Sequence, residues 1–312
     1  MKNFKINAAI CVIINLFLLN VCIAQTNGKI VATGPVSYPA YDQVQGIDFY
    51  YTKAQYDQAI GDTAIKTEKV TYISDGLKVI AYLARPKVTT SKKLPVIVFN
   101  RGSYIRNDIA YVHAALFEKL VDSGFVVIAP ALRQSEGGEG KDEMGGNDLD
   151  DIMNLAPLLN SLSYADTSNM FMYGESRGGM MTLQAVRDRF PLRAAATVGA
   201  FTDLGMFEKD NPGMESVSLQ IWPDYKENQV NIFKRRSAVD WADKLNTPLL
   251  IMDGGSDPQV KPEHGMYLAE KMQALGKKYQ LVILEGGNHI LSGRSMDERD
   301  RQIIAWFKKY LK

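Results

Sequence analysis

Short apolar segments alternate with longer amphipathic ones from Pro95 to the end of the chain, and this alternation limits the folds that are open to it. We predict strands at residues 96–99, 125–129, 170–173, 194–198, 249–252 and 280–284. We predict helices at residues 109–121, 149–159, 178–189, 262–275 and 297–311. A regular succession of strand and helix is typical of a parallel sheet that is covered by helices on both faces.

Two further strand-like runs, residues 69–73 and 77–84, precede this region and are separated by Ser74, Asp75 and Gly76. An Asp-Gly pair between two such runs is a strong signal for a tight hairpin turn. The fold class that we expect is therefore α/β, with a mostly parallel sheet flanked by helices and an antiparallel hairpin at its N-terminal side.

The 312-residue chain is long for one domain, but α/β folds of this length occur as a single unit. We assign residues 68–312 to this domain and residues 25–67 to an N-terminal extension on its surface, partly helical at 54–63. Residues 202–229 interrupt the strand and helix pattern with glycine, proline and aromatic residues. They form either a lid over a site or an ordinary packed connection.

The first 24 residues have the pattern of a signal peptide. Lysines precede an apolar stretch at residues 8–21, which is short for a membrane span, and Ala24 suits signal peptidase. We expect cleavage after Ala24, export to the periplasm or the medium, and no membrane span in the mature protein. A lipoprotein anchored at Cys22 is the less favoured alternative, because Asn20 and Val21 match its usual pattern poorly.

Composition excludes several other classes of protein. Both cysteines, Cys11 and Cys22, lie in the predicted signal peptide, so the exported chain would have neither a catalytic thiol nor a disulfide. A formal net charge of +1 gives no electrostatic footprint for a nucleic-acid partner. The three histidines are far apart and the glycine-rich stretches lack phosphate-binding residues, so we expect neither a metal site nor a cofactor.

Ser176 is the third residue of a Gly-Glu-Ser-Arg-Gly-Gly sequence that directly follows the predicted strand at 170–173. In a strained strand-to-helix turn that exposes a nucleophilic serine, Gly174 and Gly178 are needed because larger side chains would collide. The turn also directs the backbone N–H of Arg177 to the place where an oxyanion would form. We therefore predict Ser176 as a nucleophile in such an elbow, with Arg177 as one oxyanion donor.

A serine hydroxyl needs a histidine base that follows it in this kind of fold. His113 precedes the serine and falls within the apolar pattern of a helix. His264 falls at the start of a predicted helix, where capping or surface exposure is expected. His289 follows the last predicted strand through a glycine-containing loop, and we predict it to be the base.

The acid that orients the base should lie between the serine and the histidine in the chain. Asp257 lies in the loop after the strand at 249–252, and we predict it to be this acid. Asp253 is the alternative, but it directly abuts the strand and is expected to point away. Asp150 and Asp151 precede the serine and are expected to start a helix, where acidic residues favour the helix dipole.

A second oxyanion donor is expected from the loop after the strand at 96–99. Gly102 would let the backbone approach a substrate closely. Arg101 is a candidate as well, and its sequence position leaves open whether its backbone, its guanidinium or neither takes part. The alternative is that this loop is simply a sharp strand-to-helix turn.

The chain resembles the catalytic domain of the prolyl oligopeptidase family from about Lys69 to its C-terminus. The stretches that carry the resemblance are residues 174–179, 236–241, 247–250, 254–260 and 285–289. The resemblance implies an α/β-hydrolase fold, so that residues 68–312 would be a catalytic domain. It also implies that Ser176, Asp257 and His289 act as nucleophile, acid and base in acyl transfer through an acyl-enzyme intermediate.

Two departures from the family limit what the resemblance implies about the substrate. Larger members carry a β-propeller that filters peptides, and this chain has no room for one. Asn100, Arg101, Gly102 and Ser103 also replace the usual oxyanion sequence. We expect a hydrolase of small peptides or esters, with a carboxylesterase and a catalytically silent binding protein as alternatives.

Overall fold

The computed structural model describes residues 27–88, 91–104 and 112–312, which form a nine-stranded sheet in the order β1-β2-β3-β5-β4-β6-β7-β8-β9. The strands are β1 (Ile30–Pro35), β2 (Ile65–Ser74), β3 (Leu77–Pro86), β4 (Leu94–Asn100), β5 (Val126–Pro130), β6 (Ala165–Glu175), β7 (Ala194–Val198), β8 (Leu249–Gly254) and β9 (Tyr279–Leu284). Pairing is antiparallel from β1 to β5 and parallel from β5 to β9. The mostly parallel sheet predicted from the sequence is confirmed.

The helices of the described residues are α1 (Lys53–Gly61), α2 (Ala114–Asp122), α3 (Leu149–Met153), α4 (Leu155–Asn160), α5 (Arg177–Arg187), α6 (Leu204–Asp210), α7 (Met214–Ile221), α8 (Tyr225–Arg236), α9 (Glu263–Ala274) and α10 (Met296–Lys309). The single helix predicted at 149–159 is two short helices that meet at Asn154. Residues 109–111 of another predicted helix, and the whole predicted signal peptide, lie outside the described residues. No helix in residues 27–88, 91–104 and 112–312 has the length and apolar character needed to cross a bilayer.

The predicted hairpin is confirmed as β2 and β3, joined by Asp75 and Gly76. Both residues have positive φ angles, 52° and 81° respectively. Two successive residues in this region twist the chain in the sense that matches two antiparallel strands. Asp-Gly adopts the turn at little cost, because glycine has no Cβ and aspartate tolerates this conformation.

The sheet separates two apolar layers, and this explains why its central strands are apolar throughout. Along β4, Val96 and Val98 pack on one side with residues of α3, α4 and α5. Ile97 and Phe99 pack on the other side with residues of α2 and α10. Because side chains alternate along a strand, a strand covered on both faces needs apolar residues at every position.

The N-terminal extension packs against the rest of the fold and contributes buried residues to it. Its β1 extends the sheet beyond β2, and its α1 is capped at the N-terminal end by Thr52, whose side chain accepts the N–H of Gln55. Ile47, Tyr51 and Tyr56 are buried in a cluster that also contains Met296. The sequence pattern did not indicate this packing. Tyrosines make much of the contact, and β1 is an edge strand without alternating burial, so neither segment shows a periodic pattern of apolar residues.

Residues 202–229 form α6, α7 and the start of α8. Trp222 and Tyr225 are buried and stack with ring centroids 6.3 Å apart, and the Arg236 guanidinium lies 4.4 Å from the centroid of the Trp222 ring. The segment therefore packs through its aromatic residues. Its action as a lid remains a prediction.

We predict that Tyr56→Ala lowers the free energy of unfolding by about 3 kcal/mol, because the ring is fully buried and its hydroxyl donates to Pro39 O at 3.0 Å. Urea titration measures the change. Tyr267→Ala is the matched control, since Tyr267 is 38% exposed and its loss should cost less than about 0.5 kcal/mol. A loss below 1 kcal/mol at position 56 would mean that the extension contributes little to the core.

Candidate active site

Ser176 stands between the last residue of β6 and the first of α5, with φ 53° and ψ −123°. Such angles are costly for a residue with a side chain and persist only where the surroundings hold them. The Ser176 N–H donates to Val198 O of the neighbouring strand at 2.8 Å. This bond fixes the turn to the carboxyl edge of the sheet.

The two predicted elbow glycines lie where the backbone crosses its neighbours at short range. A Cβ atom at Gly178 would lie 2.0 Å from the carbonyl oxygen of Asn100 at the end of β4. One at Gly174 would lie 2.2 Å from Gly178 O and 2.4 Å from the Thr182 hydroxyl. Real Cβ atoms do not approach other atoms this closely, so glycine is required at both positions.

The structure brings the three predicted triad side chains into one hydrogen-bonded chain. His289 Nε2 lies 2.8 Å from Ser176 Oγ, and His289 Nδ1 lies 2.7 Å from Asp257 Oδ2. Asp257 follows β8 and His289 follows β9, so parallel strands deliver all three residues to one edge of the sheet. This geometry meets the distance requirement for nucleophile, base and orienting acid.

Backbone groups of neighbouring loops fix the positions of Asp257 and His289. Asp257 Oδ1 accepts the N–H groups of Gln259 at 2.8 Å and Val260 at 3.0 Å, which leaves Oδ2 for the histidine. Gly199 after β7 has a φ of 55°, and a Cβ there would lie 2.2 Å from His289 O. The His289 backbone therefore packs directly on Gly199, a contact that the sequence did not indicate.

Asp253, the alternative acid, makes no hydrogen bond to His289. It is buried, and neither carboxylate oxygen has a hydrogen-bond partner in the described part of the chain. Burial, together with the negative charge of Asp257, raises the pKa of Asp253 well above its usual value. A Cβ at Gly265 would lie 1.8 Å from Asp253 Oδ2, so the carboxylate faces α9 and does not pair with His289.

The expectation that His264 caps a helix or lies exposed is wrong. His264 is fully buried, its Nδ1 accepts the Thr202 N–H at 3.2 Å, and its carbonyl accepts the Thr202 hydroxyl at 2.7 Å. Burial lowers the pKa of His264 to about 4. This histidine thus ties α9 to the chain after β7 in its neutral form.

Asp151 does more than favour a helix dipole. Its carboxylate is fully buried and accepts the Arg133 side chain at 2.7 Å as well as the Arg133 backbone N–H at 2.7 Å. Asp150 and Asp151 both lie in the first turn of α3, as expected. The sequence offered no signal for the ion pair, because its partner is distant in the chain and belongs to no regular element.

The candidate oxyanion residues lie on both sides of Ser176. A Cβ at Gly102 would lie 3.1 Å from Ser176 Cβ, so the Gly102 backbone borders the nucleophile. Arg177 is the first residue of α5, where a backbone N–H has no partner within the helix. The Arg101 guanidinium is 1% exposed and donates to Ala131 O at 2.8 Å, so it is turned away from a substrate.

A cavity of about 250 Å³ opens beside Ser176 and His289. Its lining residues are Phe49, Tyr50, Gly102, Ser103, His113, Glu175, Ser176, Gln259, His289 and Ile290. Phe49 and Tyr50 belong to the N-terminal extension, and Phe49 is 43% exposed. These two aromatic residues form one wall of the cavity although they lie outside the expected catalytic domain. The sequence around them has no motif that indicates a site, so this wall was not predicted.

Glu175, beside the nucleophile, belongs to a buried charged cluster. It accepts the Tyr173 hydroxyl and lies 3.3 Å from Nη1 of Arg299, which also pairs with Asp300 at 2.7 Å. Burial raises the pKa of Glu175, and the Arg299 charge opposes that rise. This cluster anchors α10 beneath the site.

In the part of the chain that the structure describes, the one cluster of three possible metal ligands contains no histidine. Carboxylate oxygens of Asp62, Glu118 and Asp122 lie within 4.8 Å of one another, at the end of α1 and on α2. These groups are partly or fully exposed, and Glu118 also accepts the Gln58 amide at 3.0 Å. Acidic groups of this kind are ordinarily solvated, and none of them lines the cavity beside Ser176.

Residues 112–312, well over half of the chain, match the family model Peptidase_S9, described as the prolyl oligopeptidase family. The chain belongs to the prolyl oligopeptidase family. It is a serine hydrolase.

Three curated relatives are similar to more than three quarters of this chain. The "Uncharacterized peptidase YtmA" of Bacillus subtilis is 23% identical over 78% of this chain and 94% of its own length. The "Uncharacterized peptidase YuxL" of the same organism is 26% identical over 78% of this chain, but the match spans only 39% of its length. The "Putative carboxymethylenebutenolidase" of Escherichia coli is 23% identical over 80% of this chain and 89% of its own.

Solved structures share the fold. A puromycin-hydrolyzing peptidase of Mycobacterium tuberculosis has a TM-score of 0.65 at 22% identity, covering 80% of this chain. This chain spans only 40% of that one. Esterase B of Lactobacillus Rhamnosis has a TM-score of 0.65 at 13% identity, covering 82% of this chain and 90% of its own. The predicted α/β-hydrolase fold is confirmed.

We predict that Asp253→Asn stabilises the protein increasingly as pH rises. The folded state keeps the Asp253 proton at pH values where the unfolded chain loses it, so the wild type loses stability as pH rises from about 3.8 towards the native pKa. The stability difference between Asn variant and wild type should be near zero at pH 4 and grow by up to about 1.4 kcal/mol per pH unit.

Urea titrations at pH 4, 6 and 8 measure this difference. Asp243→Asn is the control, because Asp243 is exposed and its replacement should produce no such trend. A difference that stays constant or declines from pH 4 to pH 8 would show that Asp253 is ionised in the native protein.

Proposed function

We propose that this serine hydrolase cleaves peptide or ester bonds of small substrates through an acyl-enzyme formed on Ser176. The observation that carries the proposal is the continuous chain from Ser176 Oγ through His289 to Asp257, with distances of 2.8 and 2.7 Å. Membership of the family and the elbow geometry support the same roles. A catalytically silent binding protein is disfavoured, because it would have no need to keep this alignment.

The proposed reaction begins with attack of Ser176 Oγ on the substrate carbonyl carbon, as His289 Nε2 takes the hydroxyl proton. Asp257 stabilises the imidazolium through Nδ1. The Arg177 N–H stabilises the oxyanion of the tetrahedral intermediate, helped by the N-terminal end of α5. His289 then gives its proton to the leaving group, and water releases the acyl group by the same route.

The cavity supports a small substrate with an apolar group next to the reacting carbonyl. Phe49, Tyr50 and Ile290 provide apolar surface, while Glu175 is engaged by Tyr173 and Arg299. We favour a peptidase similar to prolyl oligopeptidase, since the family and several relatives are peptidases by name. A carboxylesterase is the second candidate, supported by the fold shared with Esterase B over most of both chains.

We also propose that the protein is exported, either to the periplasm or from the cell. The support is the pattern of residues 1–24, in which lysines precede an apolar stretch and small residues end it. N-terminal sequencing of the mature protein tests this proposal. A mature protein that begins near Gln25 supports it, and one that retains Met1 contradicts it.

We predict that a fluorophosphonate probe labels one serine per wild-type chain and that Ser176→Ala abolishes labelling. The alanine variant should also hydrolyse p-nitrophenyl acetate at least 10³-fold more slowly, on the order of the loss seen when a triad member is removed. Ser216→Ala is the control, because Ser216 is exposed on α7 and its hydroxyl donates to Gly213 O. An unlabelled wild type, or undiminished labelling of the Ser176 variant, would refute the proposed function.

We predict that Phe49→Ala weakens the preference for longer acyl groups. Butyrate has two more methylenes than acetate, and each methylene that leaves water contributes about 0.8 kcal/mol, so the ratio of kcat/KM for p-nitrophenyl butyrate to that for the acetate should fall by up to about 15-fold. Tyr267→Ala, another partly exposed aromatic residue, should leave the ratio unchanged. An unchanged ratio in the Phe49 variant would show that acyl groups bind elsewhere. The same comparison on a panel of prolyl amides extends the measurement to peptide substrates.

A further inference from the structure

The Arg101 side chain binds the backbone of the loop that follows β4. Its Nη1 donates to Gly102 O at 3.0 Å, to Ser103 O at 3.4 Å and to Tyr104 O. Its Nη2 donates to Ala131 O and to the Ser135 hydroxyl, each at 2.8 Å. The buried guanidinium thus donates to the three successive carbonyl groups of residues 102–104 and connects them by hydrogen bonds to the chain after β5.

The direction of these carbonyls determines where the intervening N–H groups point. The described residues contain no cis peptide bonds, and in a trans peptide the N–H points opposite to the C=O. Because Gly102 O faces Arg101, the Ser103 N–H faces away from it. Ser103 has a φ of 65°, an uncommon value for a residue with a side chain, and the bonds to Arg101 help to offset its cost.

The loop after β4 borders the nucleophile at Gly102. A Cβ at Gly102 would lie 3.1 Å from Ser176 Cβ and 3.2 Å from Glu175 O. Gly102 and Ser103 both line the cavity that contains Ser176 and His289. The Ser103 N–H points away from Arg101 and belongs to a residue that lines this cavity, so it is the donor of the loop that is available to a substrate carbonyl there.

Arg177 holds the same loop from the elbow. Its guanidinium donates to Ser103 O at 3.2 Å and is itself fixed by Asp142 at 2.6 Å and Asp148 at 2.7 Å. All three side chains are at most 1% exposed. One residue thus offers its backbone N–H beside Ser176 and uses its side chain to fix the loop across the cavity.

We propose that the Ser103 backbone N–H is the second oxyanion donor, and that Arg101 is the positioning residue that holds it in place. The inference rests on the proposed function and completes its oxyanion site. Donors that are already oriented stabilise the transition state without reorganising during the reaction. Arg101 contributes this orientation without touching the substrate.

Arg101→Met tests the proposal, because methionine keeps much of the apolar stem and removes every donor. We expect kcat for p-nitrophenyl acetate to fall about 10²-fold with KM changed less than about threefold, as for loss of one oxyanion donor. The inhibition constant of a trifluoromethyl ketone, which imitates the tetrahedral intermediate, should rise by the same factor. Arg101→Lys, which keeps one cationic donor group, should recover part of both losses.

Arg236→Met is the matched control. Arg236 is 3% exposed and donates to Met144 O at 2.6 Å, Glu143 O at 2.9 Å and Ile232 O at 3.2 Å, so it is an equally buried arginine bound to carbonyls. Its loss should leave kcat and the inhibition constant within threefold of wild type. Values for Arg101→Met within threefold of this control, or a fall in kcat without weaker ketone binding, would overturn the proposal.

Fluorophosphonate labelling separates this outcome from failure of the proposed function. One label per chain of Arg101→Met, formed more slowly than in wild type, shows a folded protein with a reactive Ser176. A wild type that takes up no label refutes the nucleophile itself. The pH dependence of kcat/KM should keep its midpoints in Arg101→Met, since the triad distances do not involve Arg101.

A change in the backbone tests the donor directly, and it decides the matter if Arg101→Met does not fold. Incorporation of the α-hydroxy analogue of serine at position 103 replaces the amide N–H by an ester oxygen and leaves the Arg101 side chain in place. We expect the same loss of about 10²-fold in kcat and the same weakening of ketone binding. A kcat within threefold of wild type would overturn the proposal.

Discussion

The close crossing between the start of α5 and the end of β4 is the constraint on which the rest of the site depends. The Gly178 backbone lies so near Asn100 O that any side chain would overlap it. This contact allows the nucleophile turn, with its positive φ at Ser176, to sit directly beside the loop after β4. The strand order then brings the loops after β8 and β9 to the same edge, where Asp257 and His289 complete the chain.

Buried arginines organise the parts of the site that regular structure does not reach. Arg101 and Arg133 fix the irregular chain after β5, and Arg177 joins it to the elbow through Asp142 and Asp148. Removing such charges from water costs several kcal/mol each, so each of these arginines depends on buried carboxylates or carbonyl groups that accept its hydrogen bonds. The near-zero net charge of the sequence conceals these internal pairs.

The sequence predicted the elements whose signals are local. Ser176 stood between an apolar strand and a helix with the required glycines, and chain order then selected Asp257 and His289. Contacts between distant segments were not predicted, such as β1 beside β2 or His264 beside Thr202. Burial there depends on partners tens of residues away, which no periodicity records.

The aromatic wall of the cavity, formed by Phe49 and Tyr50, comes from a different part of the chain than Ser176 and His289. The part that matches the family begins at residue 112 and contains Ser176, Asp257 and His289, whereas Phe49 and Tyr50 belong to the chain before it. Substitutions in the N-terminal segment would therefore change the shape of the cavity beside Ser176 without changing these three residues. Two proteins with the same residues at positions 176, 257 and 289 would then differ in the substrates that fit, through residues that lie outside the part matching the family.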